Sequence, residues 1–278
     1  MHIPDGFLSG PVWLGLDALS VPAVGYVARL AQRDFEENHV PLLGVMGAFV
    51  FAAQMINFPV GAGTSAHLVG GALLAVLLGP AAASVVMTAI LVIQAFVFQD
   101  GGVLALGANV ANMALAGVLA GYLPYHLLGG GRLRKPAIFL GGALSVLASA
   151  ALALAELSAS RVAIPKGMLA LSAGLFAINA VVEGAITVAV VAGIEALSPR
   201  LAPRRRAARD WAPGMLAATA MLLATVGALF ASATPDAIEN LTRPGGSAAD
   251  WFERAAGVVI VFAACVLIAR AFSRRRAA

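Results

Sequence analysis

The sequence predicts an all-α polytopic membrane protein, a seven-helix bundle followed by a C-terminal transmembrane hairpin, with about nine spans in all. Its N-terminus is expected outside and its C-terminus inside, in the cell (inner, cytoplasmic) membrane. Three observations lead there. Apolar residues make up 60% of the 278 positions and charged residues only 12%, whereas a soluble domain is about a quarter charged. Mean hydropathy is +0.90. The basic residues, which set a pI near 9.8, sit in short clusters between apolar runs. That is the pattern of topology determinants, so no nucleic-acid partner is expected.

Apolar runs place the spans at about 11–31, 40–56, 67–79, 81–98, 108–128, 136–158, 167–196, 211–232 and 255–272. The first holds Asp17 in its outer part, and His39 borders the second beside Glu36 and Glu37. The third is short and stops at Gly79-Pro80. Before it runs Asn57 to Ser65 (NFPVGAGTS), rich in Gly and Pro yet only mildly polar. Non-helical backbone of this kind needs protein or a polar cavity over it, so the stretch is expected to fold back over the bundle. The fourth span ends at Gln99-Asp100-Gly101-Gly102, where Asp100 reads as a helix-end turn residue. His126 lies at the inner end of the fifth, among interfacial anchors. Small residues recur at four-residue spacing at Gly117 and Gly121, and at Gly141, Ser145, Ser149 and Ala153, which lets helices pack closely. In the seventh, Glu183 and Asn179 lie one turn apart and share a face. They could form an interhelical polar clamp or a coupling element.

A basic cytoplasmic linker, 199–210, divides the seven-span domain 1–198 from a two-span domain 211–278 whose outer loop is acidic. With the N-terminus outside, fourteen of the eighteen Lys and Arg residues fall inside, which fixes the orientation. His2 then faces the exterior.

Chemistry concentrates at the start of the chain, Met-His-Ile-Pro-Asp-Gly. No Lys or Arg precedes the first apolar segment, so no cleaved signal peptide is expected, and the bulk of His2 favours retention of Met1. The Met1 amine, the amide nitrogen of residue 2 and the His2 imidazole can wrap one metal ion in fused chelate rings. One in-plane position is left, which a second imidazole on the same face, such as His67, could fill. Nitrogen-rich tetragonal geometry favours Ni(II) or Cu(II). Affinity should fall steeply with acid, since the ligand nitrogens must lose protons. Any added N-terminal residue would destroy the first chelate ring. The single cysteine, Cys265, supports neither a disulfide framework within the chain nor a thiolate site. No G-x-x-x-x-G-K-[ST] phosphate loop occurs, so ATP hydrolysis, if it powers transport, belongs to another polypeptide.

Three stretches closely resemble the cobalt/nickel substrate-capture (S) components of energy-coupling-factor ABC transporters, the CbiM/NikM family. They are Met1–Gly6, Asn57–Gly71 (NFPVGAGTSAHLVGG) and Gln94–Gly117 (QAFVFQDGGVLALGANVANMALAG). With the seven-span pattern, the resemblance covers about residues 1–200. Pro235-Asp-Ala-Ile-Glu239 is similar to the Pro-Asp-Gly-Leu-Glu signature of the small two-span partner, with Ala237 for Gly and Ile238 for Leu. The chain therefore looks like a fusion of the two components. The resemblance implies a metal held by Met1, His2 and His67 in a rough square plane. The loop Asn57 to Ser65 would shape and cover it, with Asn57, Ser65 and Glu183 as surrounding residues. It implies a membrane coupling (T) subunit and two ATP-binding-cassette ATPases as partners, and no enzymatic activity or prosthetic group in this chain. The transported ligand would be Ni2+ or Co2+, with Ni2+ slightly preferred because a low-spin d8 ion suits a planar four-nitrogen site. One alternative is a stand-alone secondary transporter driven by an ion gradient, with Glu183 or Asp17 carrying protons. Another is an intramembrane hydrolase using Ser65 near His67, for which the spacing is poor.

Overall fold

The computed structural model describes residues 2–34, 40–55, 58–61 and 64–197. Met1, His39, Asn57, the expected linker 199–210 and the expected two-span domain 211–278 lie outside the described residues, as does the side chain of Ser65. What is described is helical apart from one small hairpin. Among the described residues, five helices are long and apolar enough to cross a membrane.

Helix α1, Gly10–Asp34, runs along the outside of the bundle and packs on α4, Pro80–Ile93, and α5, Leu106–Asn109. Helix α2, Val40–Gln54, is buried along most of its length. Strands β1, Phe58–Gly61, and β2, Thr64–Ala66, pair antiparallel, with Pro59 opposite Ser65. The glycine- and proline-rich stretch thus closes on itself through main-chain bonds, which meets the requirement that non-helical backbone be internally paired.

The third expected span, 67–79, is corrected: its helix, α3, covers only Gly71–Leu78. Eight residues rise about 12 Å, well short of a hydrocarbon core of about 30 Å. Residues 67–70 are not helical, and Gly70, at φ +77°, marks the helix start. At the other end Gly79, φ +81°, turns the chain directly into Pro80. Helix α3 is apolar all round and almost wholly buried, touching α2, α4, α6, α7 and α8. It is the centre of the core.

The fourth span ends in a π-helical turn, Gln94–Phe98. The fifth begins as α5, passes through a π-helical stretch, Val110–Gly117, and continues as α6, Val118–Leu128. Helices α7, Arg134–Ala159, and α8, Lys166–Leu197, form the longest pair. At their far ends Arg134 forks onto Glu195, with one bond of 2.8 Å and a shorter partner, and lies over the Tyr125 ring.

The small-residue spacing now has partners. A Cβ at Gly121 would press on the Ala72 Cβ of α3 at 2.8 Å, and one at Gly141 would run into the Gly121 carbonyl oxygen. Helices α3, α6 and α7 therefore meet at backbone distance. Gly141→Ala is expected to cost about 1–3 kcal/mol of stability through overpacking, read as a lower midpoint of thermal unfolding in detergent. An unchanged midpoint would show that α6 and α7 can separate freely.

Candidate metal centre

The start of the chain is docked, residue by residue, on the turn between the fourth and fifth spans. The Ile3 N–H donates to Asn109 Oδ1 at 2.8 Å, and Asn109 Nδ2 donates back to the Ile3 carbonyl at 3.1 Å. The Gly102 N–H donates to that same carbonyl at 3.0 Å. Two residues on, the Asp5 carboxylate accepts the N–H groups of Val103, Leu104 and Ala105 at 3.1, 2.8 and 3.2 Å. The turn has the sequence such close approach demands. Gly101 takes φ +92°, and a Cβ on Gly102 would come within 2.6 Å of the Asp5 backbone nitrogen. Ile3 is wholly buried in the core.

This docking carries His2 into the protein, where it is only 5% exposed. His67 arrives from elsewhere in the chain, at the start of the non-helical segment before α3, and is equally buried at 5%. The two ring centroids lie 5.6 Å apart with planes 7° from parallel. With metal–nitrogen bonds of about 2 Å, two imidazoles sharing one ion have centroids no more than about 6.4 Å apart. The observed spacing falls inside that limit.

Hydrogen bonds fix how each ring presents its nitrogens. His67 Nδ1 lies 2.9 Å from the Leu68 carbonyl. A carbonyl only accepts, so the proton sits on Nδ1 and the lone pair on Nε2, the form that binds metals. His2 Nδ1 faces Asp100 Oδ1 at 3.2 Å, and its Nε2 is buried without a hydrogen-bond partner. Burial would lift the Asp100 carboxyl, but the His2 imidazole hydrogen-bonded beside it holds it below the usual carboxylate range. Among the described residues, no three His, Cys, Asp or Glu side chains form a group able to hold a metal.

The segment 67–70 is tied down on every side. Gln54 Nε2 donates to the Val69 carbonyl at 2.7 Å, and Gln94 Nε2 donates to Gln54 Oε1 at 2.8 Å. The Val69 and Gly70 N–H groups donate to Glu183 Oε2 and Oε1, both at 2.8 Å. Glu183 is thus a clamp on the chain that bears His67. Asn179, expected to share its face, is buried with its Oδ1 unbonded. Asp17 lies elsewhere: its carboxylate accepts the Gly107 N–H at 2.7 Å at the start of α5, and Ser20 Oγ donates to the Gly107 carbonyl. His126 rests against Tyr122 near the opposite end of α6.

His2 and His67 are therefore brought together. Asp100 is more than a turn residue, since it reaches His2. Asp5, Asn109, Gln54 and Gln94 went unrecognised individually, although Gln94 and Asn109 stand inside a stretch that carried the family resemblance. An amide in an otherwise apolar run is the signal that could have found them.

Residues 2–201 match the family described as "Cobalt uptake substrate-specific transmembrane region", CbiM. A protein of Haloquadratum walsbyi named for metal transport is 40% identical over 206 residues, covering 72% of this chain and 93% of its own length. The fused nickel transport protein NikMN of Rhodobacter capsulatus is 42% identical over 127 residues, which is 46% of this chain and 37% of that protein. Among solved structures, a truncated transition metal transporter superposes with a TM-score of 0.62 at 33% identity, covering 72% of this chain and 99% of the other.

Proposed function

This chain belongs to the CbiM family of cobalt/nickel transport proteins, and from that premise we propose that it is the metal-capture subunit of an energy-coupling-factor ABC importer. Its cargo is Ni2+ or Co2+, with Ni2+ preferred. The Met1 amine, the His2 amide nitrogen, the His2 imidazole Nδ1, which exchanges Asp100 for the ion, and the His67 imidazole hold it. The observation that carries this reading is the approach of His2 and His67, sixty-five positions apart in sequence, to parallel rings 5.6 Å apart in a buried setting.

The chemistry of the donors supports nickel. Two imidazoles, an amine and a deprotonated amide make a planar, strong-field set suited to a d8 ion. The His67 tautomer leaves Nε2 as the donor, and the Leu68 carbonyl orients the ring. The loop from Asn57 to Ser65 covers the ion. A membrane coupling subunit and two ATPases on separate chains drive its release inside. The domain 211–278 acts as a fused two-span partner that promotes loading.

The test is calorimetric titration of the purified full chain, tagged only at the C-terminus, with Ni(II) and Co(II) in parallel. Tight one-to-one binding is expected, tighter for Ni(II). Absence of binding with Met1 intact by mass spectrometry would reject the site. Loss of cellular uptake on inactivating the partner ATPase separates this reading from an ion-gradient transporter.

The docking of Ile3 makes a further prediction. Asn109→Ala removes both side-chain bonds to Ile3 and leaves the buried Ile3 N–H without that partner, while the Ile3 carbonyl keeps the Gly102 N–H. His2 is then free to swing, and Ni(II) affinity is expected to fall about 10–100-fold in the same calorimetric assay. Unaltered affinity would mean that the Asp5 bonds suffice to place His2.

A further inference from the structure

A single side chain from a distant helix holds the segment that carries His67. Glu183, 1% exposed in α8, uses both carboxylate oxygens on consecutive amides, those of Val69 and Gly70. These amides lie two and three residues beyond His67, at the start of α3. There the first N–H groups have no intrahelical acceptor, and the helix dipole favours a negative group. Helix α3 has no local cap, because the residue in that position is Gly70, with no side chain and a left-handed backbone.

The segment also has no slack. A Cβ on Gly70 would strike Val50 Cγ1 at 2.5 Å, and the Val69 carbonyl is taken by Gln54. Its conformation is therefore set by the Glu183 pair on one side and the Gln54–Gln94 chain on the other. Rotation of the 68–69 peptide would swing the Leu68 carbonyl, which is the acceptor that orients the His67 ring. The path from Glu183 to the His67 ring thus runs through two hydrogen bonds joined by the 68–69 peptide: the Val69 N–H to Glu183, and His67 Nδ1 to the Leu68 carbonyl.

We propose that Glu183 is a positioning residue for the cargo metal: by fixing Val69 and Gly70 from α8, it sets the direction in which His67 Nε2 meets the nitrogens of the chain start. This inference rests on the reading of His67 as a ligand. It makes α8 part of the coordination site without touching the ion. A movement of α8 would change the metal's geometry before it changed anything at His2.

The experiment uses the full chain with its native start and a C-terminal tag. Glu183→Gln is titrated with Ni(II) by calorimetry while the d–d absorption of the bound ion is recorded. Gln supplies one acceptor and turns an N–H2 toward the other amide. Affinity is expected to fall about 10–100-fold, and the band should move to lower energy as the His67 nitrogen leaves the plane. Glu183→Asp, which keeps both acceptors one methylene short, should fall between wild type and Glu183→Gln on both readouts. A Glu183→Gln protein with wild-type affinity and an unshifted band would overturn the proposal, even if it unfolds at lower temperature. If Glu183→Gln does not fold, Glu183→Asp takes its place, and wild-type affinity and band there overturn the proposal equally. Wild type that binds no metal refutes the metal-capture reading itself. Wild type that binds, beside an unaffected Glu183→Gln, refutes only the positioning role.

Discussion

Replacing His67 with alanine is expected to lower Ni(II) affinity by about two to three orders of magnitude. Binding energies of about 10–16 kcal/mol are typical of structural zinc sites with four ligands, which is about 3–4 kcal/mol for each ligand, at 1.4 kcal/mol per tenfold change. His67 is a suitable residue to replace because the segment that bears it is anchored through its main chain. The backbone of that segment is held by Glu183 from α8 and Gln54 from α2. Calorimetry should therefore show lost affinity, while circular dichroism and the unfolding midpoint stay near wild type. The residual complex would keep the three nitrogens of the chain start and complete its plane with water, moving its absorption to lower energy. Undiminished affinity would place the fourth ligand elsewhere and remove His67 from the site.

The second large effect is expected from lengthening the chain at its start. An N-terminal extension of six or more residues turns the Met1 amine into a peptide nitrogen and pushes the new amine out of reach. It must also find room where His2 and Ile3 are already buried. Ni(II) binding is expected to drop below detection by calorimetry, and proteolytic removal of the extension back to Met1 should restore it. A single added residue is a poorer test, because a histidine at position three can wrap a planar ion with nitrogens from the chain alone. Full binding by the long extension would show that His2 and His67 bind without the amine.

Much of this arrangement was legible in the sequence, for physical reasons that differ from element to element. The long spans were clear because a run of apolar residues has to be long enough to cross the hydrocarbon, and α4, α7 and α8 fall close to their expected limits. Helix α3 was drawn too long because hydropathy cannot tell a non-helical buried segment from a helical one. The left-handed Gly70 and the Glu183 clamp are what hold residues 67–70 out of the helix. The hairpin of β1 and β2 is too short for alternation to register. His2 and His67 stood out because histidine is rare in such a chain. Asp100 gave no comparable signal, since an aspartate beside two glycines is also what an ordinary turn requires. Asn109 was hidden in a helix, where its partner, the backbone of Ile3, has no sequence signature at all.

The bonds between Ile3 and Asn109 also set an order of events during synthesis. Residue 3 is among the first to leave the ribosome, yet its dock is 106 positions later, which at 5–20 residues per second is a wait of roughly 5–20 s. The clamp on Val69 and Gly70 comes later still, once Glu183 has been made. The two histidines thus belong to halves of a site that no early nascent chain possesses. The final placing of the segment that bears His67 is tied to completion of the bundle, and a truncated product ending before α8 lacks the carboxylate that holds Val69 and Gly70.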